Sequence, residues 1–168
     1  MTIIVDYGLG NLASVENMVR KAGGDCTISS SPEEVASASR LILPGVGHFA
    51  KGMEQLRQRG LQEALDQAVL RDGKPILGIC LGMQLMARSS EEGHATGLGW
   101  FKADVVRFAQ ERMAGAKVPH MGWSEVTVKK DHPVLPMDGL EERFYFVHAY
   151  HMVCEEPSDV LALCEHGY

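Results

Sequence analysis

The sequence predicts an α/β fold: a sandwich around a central, mostly parallel sheet, followed by a β-rich second half. Three observations carry that prediction. Up to Met86, short apolar runs alternate with stretches of helical periodicity, as strands joined by crossover helices do. The runs around Leu41 and Ile76 are almost continuously apolar, which suits strands covered on both faces. Beyond Gly99 helical spacing fades and the remaining apolar runs read as strands.

The elements follow in order. Thr2-Ile3-Ile4-Val5-Asp6 reads as a buried strand, and a glycine-bearing turn leads into a helix with Leu12, Val15, Met18, Val19 and Ala22 on one face. Gly23-Gly24 stops it. Cys26-Thr27-Ile28 is a second strand, and Ser31-Pro32-Glu33-Glu34 is an N-cap, a first-turn proline and two acids opening a short helix. Leu41-Ile42-Leu43 makes a third strand. Helical spacing then runs from Met53 to Val69, broken at Gly60 and closed by Asp72-Gly73, before the strand Pro75-Ile76-Leu77-Gly78-Ile79. In the second half, residues 102–108, 124–129, 144–154 and 160–164 read as strands.

Composition narrows the function. A chain of 168 residues fits one domain over residues 1–168, large enough to bury roughly 70% of its unfolded surface. Lys plus Arg number 16 against 22 Asp plus Glu, a net charge of −6, so nucleic acid is disfavoured as a partner. No apolar run approaches the ~20 residues of a membrane span, and the first five residues lack the basic flank of a signal peptide. A cytoplasmic protein without a membrane partner is expected. The four cysteines form no CxxC pair and no zinc spacing, so neither a disulfide framework nor a metal site is expected, and no cofactor is called for.

The most informative segment is Gly78-Ile79-Cys80-Leu81-Gly82-Met83-Gln84, a buried strand running into a glycine-flanked cysteine and then helical spacing. It has the form of a nucleophile elbow, in which small neighbours let the backbone crowd and leave one reactive side chain projecting. The N-terminus of the following helix would favour the thiolate, and its N–H groups, Leu81 first, could face an oxyanion. Taken alone the pattern also suits a buried structural cysteine, the reading preferred for Cys26, Cys154 and Cys164 within strands. A second turn, Leu43-Pro44-Gly45-Val46-Gly47, again ends a strand, and parallel strand ends open onto one edge. Gly45, Val46 and Gly47 could therefore offer backbone donors beside Cys80, or serve chain reversal alone.

These turns, with Asp6-Tyr7-Gly8-Leu9-Gly10-Asn11-Leu12, Lys117-Val118-Pro119-His120-Met121-Gly122-Trp123 and Tyr145-Phe146-Val147-His148-Ala149-Tyr150, resemble the class I glutamine amidotransferases. Within that family the likeness is to the glutaminase subunits of imidazole glycerol phosphate synthase. The resemblance implies a three-layer α/β sandwich, glutamine as substrate, Cys80 as nucleophile, and Gly45 to Gly47 as the oxyanion strand. Gly78, Gln84, Ala149 and Tyr150 would bind glutamine. Pro119, His120, Met121 and Trp123 would face a (β/α)₈ cyclase that receives the ammonia and makes imidazole glycerol phosphate in histidine biosynthesis. Met121 and Trp123 suit an interface with a polar rim of His120 and Ser124, although periodicity alone allows a buried Trp123.

Two departures from the family pattern matter. Its catalytic His-Pro-Glu segment would lie beyond the strand at residues 160–168, and no His-x-Glu occurs in this sequence. Without that base and acid the 168-residue chain is expected to be nearly inert as a glutaminase and to read as an incomplete domain, or as a docking module if it naturally ends there. None of the seven histidines is a convincing replacement; each reads as a surface or packing residue. Ser124 stands where the histidine-pathway family commonly carries asparagine, which leaves open a paralogue feeding ammonia to an amidine-forming synthase of surface-sugar biosynthesis.

Overall fold

In a computed structural model covering residues 1–168, the first half forms β1 (Thr2–Val5), α1 (Leu12–Lys21), β2 (Cys26–Ser29), α2 (Pro32–Ser37), β3 (Arg40–Gly45), α3 (Phe49–Gln58), α4 (Leu61–Asp66), β4 (Ile76–Cys80) and α5 (Leu81–Gln84). The four strands pair in parallel in the order β2-β1-β3-β4. Given that order, right-handed crossovers put α1 on one face of the sheet and α2 to α4 on the other. Local signals end the helices where the sequence puts them: Ser31 caps α2 by accepting from Glu34 N, and Gly60, at φ +66°, separates α3 from α4.

Alternation along β1 and β3 builds the core. Ile3, Val5, Leu41 and Leu43 point into one cluster with Val35 of α2, Phe49, Met53 and Leu56 of α3, and Leu61 and Leu65 of α4. The opposite face carries α1 alone, which has no buried residue. Here the structure corrects an expectation. β3 is buried, but β4 is not covered on both sides: Leu77 is 52% exposed and Ile79 38%, beside an open apolar groove shared with Val15, Met18, Val19 and Ile42.

The regular elements of the second half are all strands apart from two 3₁₀ turns. β5 (Ser89–Ser90), β6 (Ala95–Thr96), β7 (Ala103–Arg107) and β10 (Tyr150–Cys154) form a mixed sheet in the order β10-β7-β5-β6. β8 (His120–Val128), β9 (Glu142–His148) and β11 (Ala162–Leu163) form an antiparallel sheet in the order β11-β8-β9. Residues 144–154 are therefore two strands rather than one: the chain changes sheet at Ala149, whose carbonyl accepts from Phe108 N at 3.1 Å. β8 also starts four residues earlier than expected, so the Pro119 to Trp123 segment is largely strand. No helix is long and apolar enough to cross a membrane.

Candidate active site

Cys80 ends β4 at φ +53° and ψ −116°, a conformation that residues with a side chain rarely hold, and it is the one exposed cysteine of the four. Close packing enforces the bend. A Cβ on Gly82 would strike the carbonyl oxygen of Leu43, and one on Gly78 would lie 2.6 Å from the Cα of Met83. The nucleophile-elbow expectation thus has a steric cause, and the strain sits on the residue expected to react. The helix after it is shorter than expected. α5 is a single turn, Leu81–Gln84, so it presents no long helix dipole to the sulfur.

The glycine turn lies alongside. Gly45 pairs with Cys80 in the ladder of β3 and β4, and Gly47 turns at φ +105° with nothing within 4 Å of a would-be Cβ, so its need for glycine is conformational. A Cβ at Gly45 would instead collide with the hydroxyl of Tyr7, a fully buried residue whose hydroxyl has no partner. Burial first, and the charge of Cys80 second, push the Tyr7 phenol far above its ordinary pKa, so it remains protonated.

A cavity of about 270 Å³ opens at this edge, lined by Val46, Gly47, Cys80, Leu81, Gln84, Glu92, Val147, His148, Ala149 and Tyr150. Of the residues expected at the site, Gly45 and Gly78 do not line it; they shape the two turns from behind. Gln84 reaches across and donates from Nε2 to the Tyr150 carbonyl at 3.2 Å, tying the cysteine turn to the corner where β9 becomes β10. Glu92 is a site residue that sequence reasoning misses. Its Oε2 accepts from Phe49 N at 2.7 Å, and it is the only carboxylate of the lining. His148 is the only histidine there, and its Nδ1 is 2.7 Å from the Tyr150 carbonyl oxygen.

The expected docking segment divides by face. Alternation along β8 turns Met121 and Trp123 outward, 63% and 68% exposed, so Trp123 is not a core residue. Opposite them on β9 stand Val147 and Tyr145, and Trp123 meets Tyr145 edge to face at 5.8 Å. Pro119, exposed, follows a cis peptide bond. His120 is a correction: it is buried, turned to the other face of the strand, with Nε2 2.9 Å from Ser124 Oγ. Neither His120 nor Ser124 rims the exposed aromatic face.

Residues 3–167 match the family model described as glutamine amidotransferase class-I. The chain belongs to that family. Among curated relatives it is 47% identical, over 99% of its length and 82% of the relative's, to imidazole glycerol phosphate synthase subunit HisH 2 of Pseudomonas aeruginosa. It is 46% identical to subunit HisH of Sulfurimonas denitrificans over 100% of its length and 81% of that protein. Among solved structures it superposes on a glutamine amidotransferase with a TM-score of 0.68 at 18% identity, covering 95% of this chain and 78% of the other, a likeness of fold. The parallel sheet, the cysteine elbow and the family match make this amidotransferase an α/β protein of the expected class.

Proposed function

We propose that the chain is the glutaminase subunit of an imidazole glycerol phosphate synthase. The observation that carries this reading is the strained, exposed Cys80 set against the Gly45 to Gly47 turn at a cavity of amino-acid size, in a chain 47% identical to a subunit so named. Glutamine enters with its side-chain amide toward Cys80 and its α-ammonium toward Glu92. The thiolate attacks the amide carbon, and backbone N–H groups of the two turns take up the charge developing on oxygen. The C–N bond breaks, ammonia leaves on accepting a proton, and water then hydrolyses the γ-glutamyl thioester to glutamate. By the family pattern the base and acid are a histidine and glutamate of a His-Pro-Glu segment; His148, whose Nδ1 is held by a carbonyl and whose Nε2 is buried, is not their substitute.

The partner is a (β/α)₈ cyclase seated on Met121, Trp123, Tyr145 and Val147. Val147 also lines the Cys80 cavity, so this face borders the place where ammonia is released. Ser124, turned inward to His120, lies off that face, and its departure from asparagine therefore leaves the docking surface intact. The test is glutamine hydrolysis by a chain that carries the family's His-Pro-Glu segment, assembled with its cyclase. Cys80→Ala abolishes it, while synthesis driven by added ammonium continues; unchanged glutamine turnover in Cys80→Ala would refute the mechanism.

A further inference from the structure

His148 lines the cavity without offering it a free ring nitrogen. Nδ1 faces the Tyr150 carbonyl at 2.7 Å, and Nε2 is buried with no partner, the ring packing against Phe108, His120 and Phe146. Only a protonated nitrogen can approach a carbonyl oxygen so closely in a favourable contact, which fixes the Nδ1–H tautomer. The same oxygen accepts from Gln84 Nε2 at 3.2 Å. Two donors, one from the cysteine turn and one from the end of β9, converge on a single peptide of the cavity wall.

We propose that His148 is a positioning residue of the glutamine site: it acts through the Tyr150 carbonyl to fix the Ala149-Tyr150 corner against which the substrate lies. The inference rests on the reading of the cavity as a glutamine site. Both carbonyls of the corner are occupied, that of Ala149 by Phe108 N and that of Tyr150 by Gln84 and His148. Without the imidazole donor the Tyr150 carbonyl, at the very start of the β10–β7 ladder, keeps only the flexible Gln84 side chain as donor. The wall then samples other orientations, and substrate affinity falls while the chemistry of Cys80 does not.

A chloroketone analogue of glutamine separates the two quantities. The Cys80 thiolate displaces chloride and forms a carbon–sulfur bond, so mass spectrometry yields a half-saturating concentration and a limiting rate of labelling. His148→Leu is expected to raise the half-saturating concentration about tenfold, the weight of one hydrogen bond, with the limiting rate changed less than about twofold. His148→Asn, nearly isosteric with leucine but bearing an N–H near the Nδ1 position, restores most of the lost affinity. His148→Gln, whose N–H falls nearer Nε2, does not. Equal affinities in the Asn and Leu variants, or a loss confined to the limiting rate, would overturn the proposal. Should the Leu variant not fold, the Asn and Gln pair makes the same distinction: tighter binding by Asn supports the positioning role, and equal binding overturns it. Wild-type protein in which Cys80 shows no saturable labelling, or none that glutamine prevents, would overturn the glutamine reading and this one with it.

Discussion

Glu92 shows how much of a site can rest on one side chain. A carboxylate in a small cavity needs a partner for its charge, and in the free protein that partner is the Phe49 N–H. One oxygen remains for a ligand ammonium. Glu92→Gln keeps the shape and the acceptor toward Phe49 but removes the charge, and it is expected to raise the KM for glutamine about tenfold or more while leaving kcat within a few-fold. Steady-state kinetics of a chain carrying the His-Pro-Glu segment, at saturating partner, check this; an unchanged KM would remove Glu92 from the site. Cys80, Gly47 and Gln84 are legible in the sequence because the bends that position them are written in short glycine-bearing runs at strand ends. Glu92 is not, because nothing around Glu91-Glu92-Gly93 marks that loop, which is brought to the cavity by non-local contacts, the pairing of β5 with β7 and the bond to Phe49 N.

Between elements, the most consequential arrangement is a ring cluster. His151 stacks on Phe108 at 4.5 Å, His166 on His120 at 4.0 Å, and His148 lies 5.3 Å from His120, so β8, β9, β10 and the segment after β11 meet through imidazoles. Burial first, and neighbouring histidines second, hold His120 and His151 below the ordinary value of 6.5; burial likewise lowers His148, partly opposed by its bond to Tyr150. His151 also feels Glu91, which opposes the shift, and Arg112, which adds to it. A lowered folded pKa means that the unfolded chain binds more protons as the pH falls through about 6.5, so stability present above that value is lost below it, levelling once both states are charged. The urea midpoint should fall between about pH 7.5 and 5.5, and His151→Asn should flatten the fall; a wild-type midpoint constant across that range would exclude the cluster as a source of pH sensitivity. Such a cluster is hard to read from sequence, because its members, Phe108 and His166 among them, come from distant strands and segments whose pairing is non-local. The facing of β8 is legible in principle, since period-two alternation from Met121 to Trp123 places His120 inward. Gly122 between them weakens the strand signal, so the sequence reads as strand only from Ser124.

On the scale of the whole molecule, the exposed aromatic face and the cavity share one border. Trp123 is 68% exposed, so Trp123→Ala should leave thermal stability within about 0.5 kcal/mol of wild type and yet weaken binding of the proposed cyclase partner by about 2 kcal/mol or more, roughly thirtyfold in Kd. Titration calorimetry with the cyclase measures this; equal affinity would move the docking face elsewhere. The parallel half of the fold is legible because each strand and helix there carries its own punctuation, from the Ser31 cap to the Gly60 break. The division of the second half into two sheets is not, since the switch at Ala149 is marked by no glycine or proline and depends on which distant strand each half meets.

Val147 and His148 are consecutive residues of β9, the first turned to the exterior face and the second to the peptide that walls the cavity. Neighbours in an extended chain are coupled by one rigid amide plane. A group that settles on Val147 from outside is thus a single residue away from the imidazole that braces the chamber wall, and Val147 itself belongs both to that outer face and to the chamber's lining.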